Sequence, residues 1–235
     1  MMPFERRYSR LAEDGQEIVL LMGRGCFWKR CAFCDYHLDA GPDELSVPIN
    51  DRVLDQVTGE FGRLVALNSG SYFELPVVTR KRIEELCLEK GIRHLHMESH
   101  WRFHDRVAEL KTRLAREGIA LHPRIGIETF DEDYREDVLD KGVGKGVAPE
   151  DIAGIFDECC LLFGMEGQST EQFERDVAIA KAHFDVVYIN IFNTNSTAVR
   201  PDAALLGWFQ ERLAHYKKDP QLRVLVENTE LGVGD

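Results

Sequence analysis

Three cysteines, Cys26, Cys31 and Cys34, fall within nine residues of the chain. In a cytosolic protein, closely spaced cysteines more often bind metal than pair as disulfides. Two metal chemistries suit this set. A [4Fe–4S] cluster normally takes four cysteines, so three thiolates leave one iron open to a substrate or cofactor. The rival is structural zinc, because Cys34-x2-His37 extends the set to Cys3His, a sound tetrahedral combination. Structural zinc sites usually join two separated ligand pairs, whereas these candidates share one loop. Phe33, directly before the last cysteine, could shield a cluster from water. The other cysteines, Cys87, Cys159 and Cys160, sit in apolar patterns and read as core.

Two further patterns invite chemistry. His94, His96, His100 and His104 lie within eleven residues. On a strand, His94, His96 and Glu98 share one face. They could hold a second metal, line a substrate cavity through His96 and Glu98, or be surface histidines. Gly142, Gly144 and Gly146 suggest a phosphate loop, but they follow no strand and lack the dinucleotide fingerprint spacing.

These residues must be positioned by a regular alternation of elements. Glu17–Met22 reads as a buried strand running straight into Gly23-Arg24-Gly25 and the cysteines. Val53, Leu54, Val57 and Phe61 have helical spacing. Strand Leu64–Leu67 leads to the loop Asn68-Ser69-Gly70-Ser71. Thr79 is placed to cap a helix that Gly91 closes. Strand His94–Glu98 precedes a helix through Val107, Leu110 and Leu114. Strand Ala120–Ile127 ends in Gly126-Ile127-Glu128-Thr129, and a helix over Asp131–Asp140 follows. Pro149 suits the first turn of a short helix. Strand Glu158–Phe163 ends at Gly164 and Gly167, and Ser169 with Gln172 resembles a capping box. Strand Val186–Phe192, helix Ala203–Tyr216 and strand Leu222–Val226 complete the chain.

Strands alternating with helices imply a parallel sheet with right-handed crossovers. The count is six βα units plus a terminal strand, with no composition break, so a single domain over residues 1–235 is expected. Ligands of such folds sit at the carboxyl ends of the strands. The polar groups to question are therefore the cysteines, Asn68–Ser71, Glu98–His100, Glu128, Glu166–Ser169 and Asn190–Ser196.

Composition excludes several classes. The 235 residues carry 41 acids against 29 Lys and Arg, a net charge of −12. Nucleic-acid binders usually show a basic footprint, so no nucleic-acid partner is expected. No stretch approaches the ~20 apolar residues of a membrane span, and Met1–Arg7 lacks the apolar core of a signal peptide. A cytoplasmic protein with a small-molecule substrate is the expectation.

The cysteine loop after the first buried strand of an α/β chain resembles that of the radical S-adenosylmethionine (SAM) enzymes. Their loop typically reads Cys-x3-Cys-x-aromatic-Cys. Cys31-Ala32-Phe33-Cys34 matches its close, and the first gap is one residue longer. The resemblance implies a partial (β/α)6 barrel, a [4Fe–4S] cluster on Cys26, Cys31 and Cys34, and SAM as cofactor. After the second strand the family usually has Gly-Gly-Glu holding the SAM amino group. Here Asn68, Ser69, Gly70 and Ser71 take that place without the acid. The Gly126-x-Glu128-Thr129 element and Lys141-Gly142 are similar to those of elongator-type members, which puts Glu128 at the SAM ribose. Gly164–Ser169 resembles the turn, with Gly164 and Gly167, that admits adenine.

Six βα units at roughly 35 residues each take about 210 residues. No second-cluster, cobalamin or RNA-binding domain is therefore expected. A compact subgroup of this size has a loop similar to Gly25-Cys26-Phe27-Trp28-Lys29-Arg30-Cys31-Ala32-Phe33-Cys34-Asp35-Tyr36-His37. These are the bacterial queuine lyases, which release the aminomethyl deazaguanine from queuine. The resemblance implies that substrate and an electron donor such as flavodoxin or ferredoxin. A deazaguanine edge presents N–H donors, so acceptors are needed. Candidates are Asp35, Glu98 and Glu227, with Asn190 and Asn193 for the diol and His96 in the cavity wall. The alternatives are radical SAM chemistry on another small molecule, or a zinc-stabilised α/β binding protein.

Overall fold

A computed structural model describes residues 4–227 and 229–234. The chain divides into two compact units, one of residues 4–29, 36–123 and 229–234, the other of residues 30–35 and 124–227. Strand order follows sequence order within each.

The first unit contains β1 (Tyr8–Leu11), β2 (Gln16–Leu21), β3 (Arg63–Asn68), β4 (His94–Glu98) and the start of β5 (Ala120–Glu128). β2, β3 and β4 are parallel, with Ile18 beside Val65 and Val65 beside His96. Ile18, Val19 and Leu21 are fully buried, as expected of a strand covered on both faces. The helices are α1 (Asp43–Leu54), α2 (Val77–Lys90) and α3 (His104–Arg116). In α3 the buried residues are Val107, Leu110 and Leu114, one helical stripe. Gly91 closes α2 in the left-handed conformation, φ 68°, which a Cβ disfavours. Val233 near the C-terminus joins Ile18, Val65 and Leu67 in the core.

The second unit carries the rest of β5, then β6 (Glu158–Phe163), β7 (Val186–Ile191) and β8 (Leu222–Leu225), all parallel. Its helices are α4 (Pro149–Ala153), α5 (Thr170–His183) and α6 (Ala203–Lys217). Phe163 of β6 stacks on Phe173 of α5 at 4.2 Å, and Phe209 of α6 stacks on Tyr216 at 5.2 Å. The six βα units and terminal strand read from the sequence are present. Cys87, Cys159 and Cys160 are buried.

Several local expectations are corrected. β1 pairs antiparallel to β2, a strand the periodicity did not reveal. Val53 and Leu54 end α1, but Val57 and Phe61 lie beyond it. The fully buried Glu17 carboxylate accepts bonds from Thr58 N at 2.8 Å and Gly59 N at 2.7 Å, which turns the chain there. Thr79 is buried inside α2 and accepts a bond from Asn50; Pro76 holds the cap position. The expected helix over Asp131–Asp140 is a five-residue π-helical turn, Tyr134–Val138. Gln172 forms only half of a capping box. Its amide donates to Ser169 Oγ, but its side chain donates to Asp176.

Candidate active site

In the first unit the chain leaves β2 at Met22, whose N–H and C=O both bond the side chain of Asn50 on α1. The loop carrying Cys26 is then tied to the loop after β3 by one carboxylate. Glu74 accepts from Phe27 N with one oxygen and from Ser71 N, at 2.6 Å, with the other. A Cβ on Gly70 would lie 2.6 Å from Glu74 Oε2 and 3.2 Å from Cys26 Cα, so only glycine allows this approach. Ser71 Oγ accepts from His100 N at 2.9 Å, and the His100 ring stacks on Trp28 at 5.8 Å. Phe27, Glu74, Ser71, His100 and Trp28 thus form a closed circuit around the flank of Cys26. Burial raises the Glu74 carboxyl above its usual range, against the opposing pull of the two amides.

Glu74 was missed in the sequence, where the loop Asn68–Ser71 reads as lacking an acid. The signal was available as Ser71-x-x-Glu74, a capping box, which is formed. Asn68 donates to Ser71 O at 3.1 Å, while its buried Oδ1 has no hydrogen-bond partner among the described residues. Ser69 lies half-buried between them.

The four clustered histidines do not converge. His94 Nδ1 lies 3.0 Å from His122 Nε2, and buried His96 stacks on His122 at 4.4 Å. His100 faces Trp28, and His104 stacks on Trp101 at 4.6 Å. Among the described residues no three His, Cys, Asp or Glu side chains gather as a single-ion site. A four-iron cube holds its thiolates further apart than one tetrahedral ion does. Glu98 ends β4 half-buried.

In the second unit the turn of Cys31 and Cys34 closes on itself, Cys34 N donating to Cys31 O. Ala32 N donates to Leu139 O at 2.9 Å, and Asn195 donates to Phe33 O at 2.7 Å. Asp35 Oδ2 accepts from Ser196 N at 2.9 Å and Ser196 Oγ at 2.8 Å. Through these bonds Asp35, expected at the substrate, also anchors the loop. Phe33 packs against Leu139, Leu162, Met165 and Phe192.

A bulge between Gly126 and Glu128 turns the end of β5, and Glu128 takes a positive φ of 67°. Its Oε1 is 2.6 Å from Lys141 Nζ. A Cβ on Gly126 would fall 2.6 Å from Glu128 Oε1 and 3.0 Å from Lys141 Nζ. Burial opposes the Lys141 charge, but Glu128, Cys31 and Cys34 outweigh it and raise the ammonium's proton affinity. The glycine run is no phosphate cradle. The Gly142 and Gly146 amides already donate to the carboxylates of Glu136 and Glu132.

Gly164 and Gly167 take φ values of 102° and 90°. A Cβ on Gly164 would meet Leu206 at 2.5 Å. Gly167 lines a polar cavity of about 120 Å³ with Thr129, Tyr134, Gln172, Arg175 and Asp176. Asn190 is half-buried on β7, beside Leu162 and Leu225. Asn193 donates to Val226 O at 3.0 Å and so holds the end of β8, next to exposed Glu227.

No family model and no curated protein matches the sequence. Among solved structures the chain is similar to a queuine lyase from Clostridium spiroforme bound to SAM and queuine. The TM-score is 0.93 at 37% identity, with 100% of both chains covered. SuiB of Streptococcus suis matches with a TM-score of 0.59 at 14% identity, over 92% of this chain and 50% of that one. A radical SAM methyltransferase from Sphaerobacter thermophilus gives 0.59 at 17%, over 92% and 67%. At those identities the last two show the fold alone. That fold is the partial (β/α)6 barrel of the radical SAM enzymes, as the sequence led one to expect. The full-length identity of 37% to the first structure decides the rest: the chain belongs to the queuine lyase family of radical SAM enzymes.

Proposed function

We propose that this chain binds a [4Fe–4S] cluster and SAM and cleaves queuine at a C–N bond, releasing its aminomethyl deazaguanine. The observation that carries the reading is the likeness, over both whole chains, to a queuine lyase bound to SAM and queuine.

The residues present fit these groups. Cys26, Cys31 and Cys34 are half-buried thiols outside any disulfide, and the Lys141 ammonium beside two of them suits an anionic cluster. Asn68 Oδ1 is a buried acceptor awaiting a donor, which the SAM ammonium would supply. When bound, the cluster and SAM supply a 5′-deoxyadenosyl radical that abstracts hydrogen from an unactivated C–H bond.

The chain's own residues bind, orient and exclude water. The three thiolates hold the cluster and leave one iron for SAM. Phe33, packed on an apolar group, covers the cluster. The Asn68–Ser71 loop holds the methionine end. Glu128 Oε2 accepts no hydrogen bond among the described residues and takes the ribose hydroxyls, while Lys141 fixes the other oxygen. Gly164 and Gly167 let adenine approach the backbone. Glu98, Asn190 and His96 line the substrate site. Asp35, Asn193 and Glu227 border it, the first two through the loops they anchor. The substrate is a free small molecule rather than RNA, and a low-potential flavodoxin or ferredoxin donates the electron. Among the described residues no helix is long and apolar enough to cross a membrane.

The test is an anaerobic incubation with SAM, reductant and queuine, followed by mass spectrometry. The expected products are 5′-deoxyadenosine, methionine and the aminomethyl deazaguanine. Alanine at Cys26, Cys31 or Cys34 should abolish iron binding, and Cys87→Ala should not. Colourless protein holding one zinc would defeat the reading.

A further inference from the structure

The chain is acidic, with a net charge of −12. Yet one patch of the first unit is built from arginines and aromatic rings. The Arg102 guanidinium lies 4.1 Å from the centre of the Phe27 ring, which is 48% exposed and next in sequence to Cys26. The neighbouring Phe103 packs against Phe73 at 5.6 Å, and Arg106 lies over both rings, 4.3 Å from Phe73. Arg80 lies 5.9 Å from the centre of the same Phe73 ring. Among the described residues none of these three arginines has a carboxylate within ion-pair distance, unlike Arg24, Arg82 and Arg113 nearby in the chain. Burial, and then the neighbouring charge of Arg106, weaken the Arg80 guanidinium's hold on its proton.

Guanidinium groups held on ring faces stay charged and lose little freedom when an anion arrives. Arginines gathered without a carboxylate at ion-pair distance repel one another locally, and an anionic partner relieves that repulsion. The arginines sit beside the loop of Cys26. We propose that Arg80, Arg102 and Arg106, with Phe27, Phe73 and Phe103, form the docking surface for an acidic one-electron carrier protein. This rests on the radical SAM reading above. In the step served, the carrier loses one electron and the cluster gains it. The surface's task is to raise the encounter rate and to orient the carrier at the cysteine loop. Exposed rings beside arginines also suit single-stranded RNA, but three arginines match an acidic patch on a small protein better than a long polyanion, which would run onto the acidic remainder of a chain of net charge −12.

The test uses anaerobic holoenzyme and stopped-flow absorbance at the cluster band. Reduced flavodoxin and reduced ferredoxin serve as acidic carriers, and dithionite as a small reductant. Arg102→Glu combined with Arg106→Glu alters only exposed side chains. The rate of reduction by the carriers should fall roughly tenfold or more, and the wild-type rate should fall with added salt. Reduction by dithionite, and turnover supported by it, should be unchanged. Equal carrier rates in wild type and variant would overturn the docking surface. So would tRNA binding that the same variant abolishes while carrier rates stay constant. A wild-type enzyme that turns over with dithionite but takes no electron from either carrier would overturn the surface and leave the lyase reading intact. Loss of dithionite-driven turnover in wild type would instead sink that reading.

Discussion

Lys141 Nζ stands 2.6 Å from Glu128 Oε1, and the pair lies over Gly126, where any Cβ would collide with both groups. The strand bulge, the positive φ of Glu128 and the missing side chain at residue 126 serve this one arrangement. It leaves Glu128 Oε2 for a ligand. Glu128→Gln should raise the SAM dissociation constant roughly ten- to a hundredfold, the loss of one charge-assisted hydrogen bond of about 1.5–3 kcal/mol. The brown cluster should remain. Gly126→Ala should weaken SAM similarly by displacing the pair. Calorimetric titration showing wild-type affinity in both variants would remove Glu128 from the SAM site.

Glu74 accepts amides with both carboxylate oxygens, from Phe27 and Ser71. A carboxamide offers one acceptor and one donor, so Glu74→Gln should release one amide and Glu74→Ala both. Hydrogen exchange at Phe27 and Ser71 should quicken accordingly. Iron retained per chain after reconstitution should drop in the alanine variant. Protected amides in Glu74→Ala would show that other contacts hold the cysteine loop.

The strands that frame the site were legible because burial on both faces demands apolar runs such as Ile18–Leu21 and Cys159–Phe163. β1 was not legible. Three of its four residues are half-buried, Arg10 is exposed, and the strand gains its conformation from pairing with β2. The cysteines and Glu128 stood out because their types and spacing are chemical. The bonds that hold them were hidden, since Asn195 reaches Phe33 across more than 160 residues of sequence. The glycines at 70 and 126 read as part of a loop and of a strand end. Only the distances to Cys26 and Lys141 reveal close approach as their task. The π-helical turn defeated a periodic reading because Glu132 and Glu136 spend their carboxylates on the glycine loop instead of on a helix surface.

Arg124 and Glu158 form an ion pair at 2.8 Å with side chains 2% and 3% exposed, and the guanidinium lies 3.5 Å from the Tyr188 ring centre. Glu158→Ala leaves a buried cation beside that ring. Truncating one partner of a buried pair costs about 3–5 kcal/mol. Urea unfolding should show a clear fall in midpoint, with an unchanged slope. A midpoint close to wild type would mean that Arg124 finds another partner or water.

Asp176 gives a signed pH dependence. Burial raises its carboxyl above the ordinary value of 3.8, and the bonds it accepts from Thr129 Oγ1, Phe130 N and Gln172 Nε2 only partly offset this. The native protein therefore keeps a proton on Asp176 over an interval, starting near 3.8, in which the unfolded chain has already lost it. With more protons bound in the native state, stability falls as pH rises through that interval. The contribution is fully present below the unfolded value and is lost as pH passes the native one. Half-buried carboxyls with lowered values, such as Asp43 beside Arg24 and Asp219 beside Lys181, act in the opposite direction. A comparison that cancels them is therefore needed. Asp176→Asn cannot titrate at that position but retains every other group. Unfolding free energies should be measured in urea at several pH values from 4 to 7 for both proteins. The variant should gain on the wild type as pH rises, with the difference levelling off once Asp176 is ionised. Parallel curves would show that the native and unfolded states hold the Asp176 proton equally.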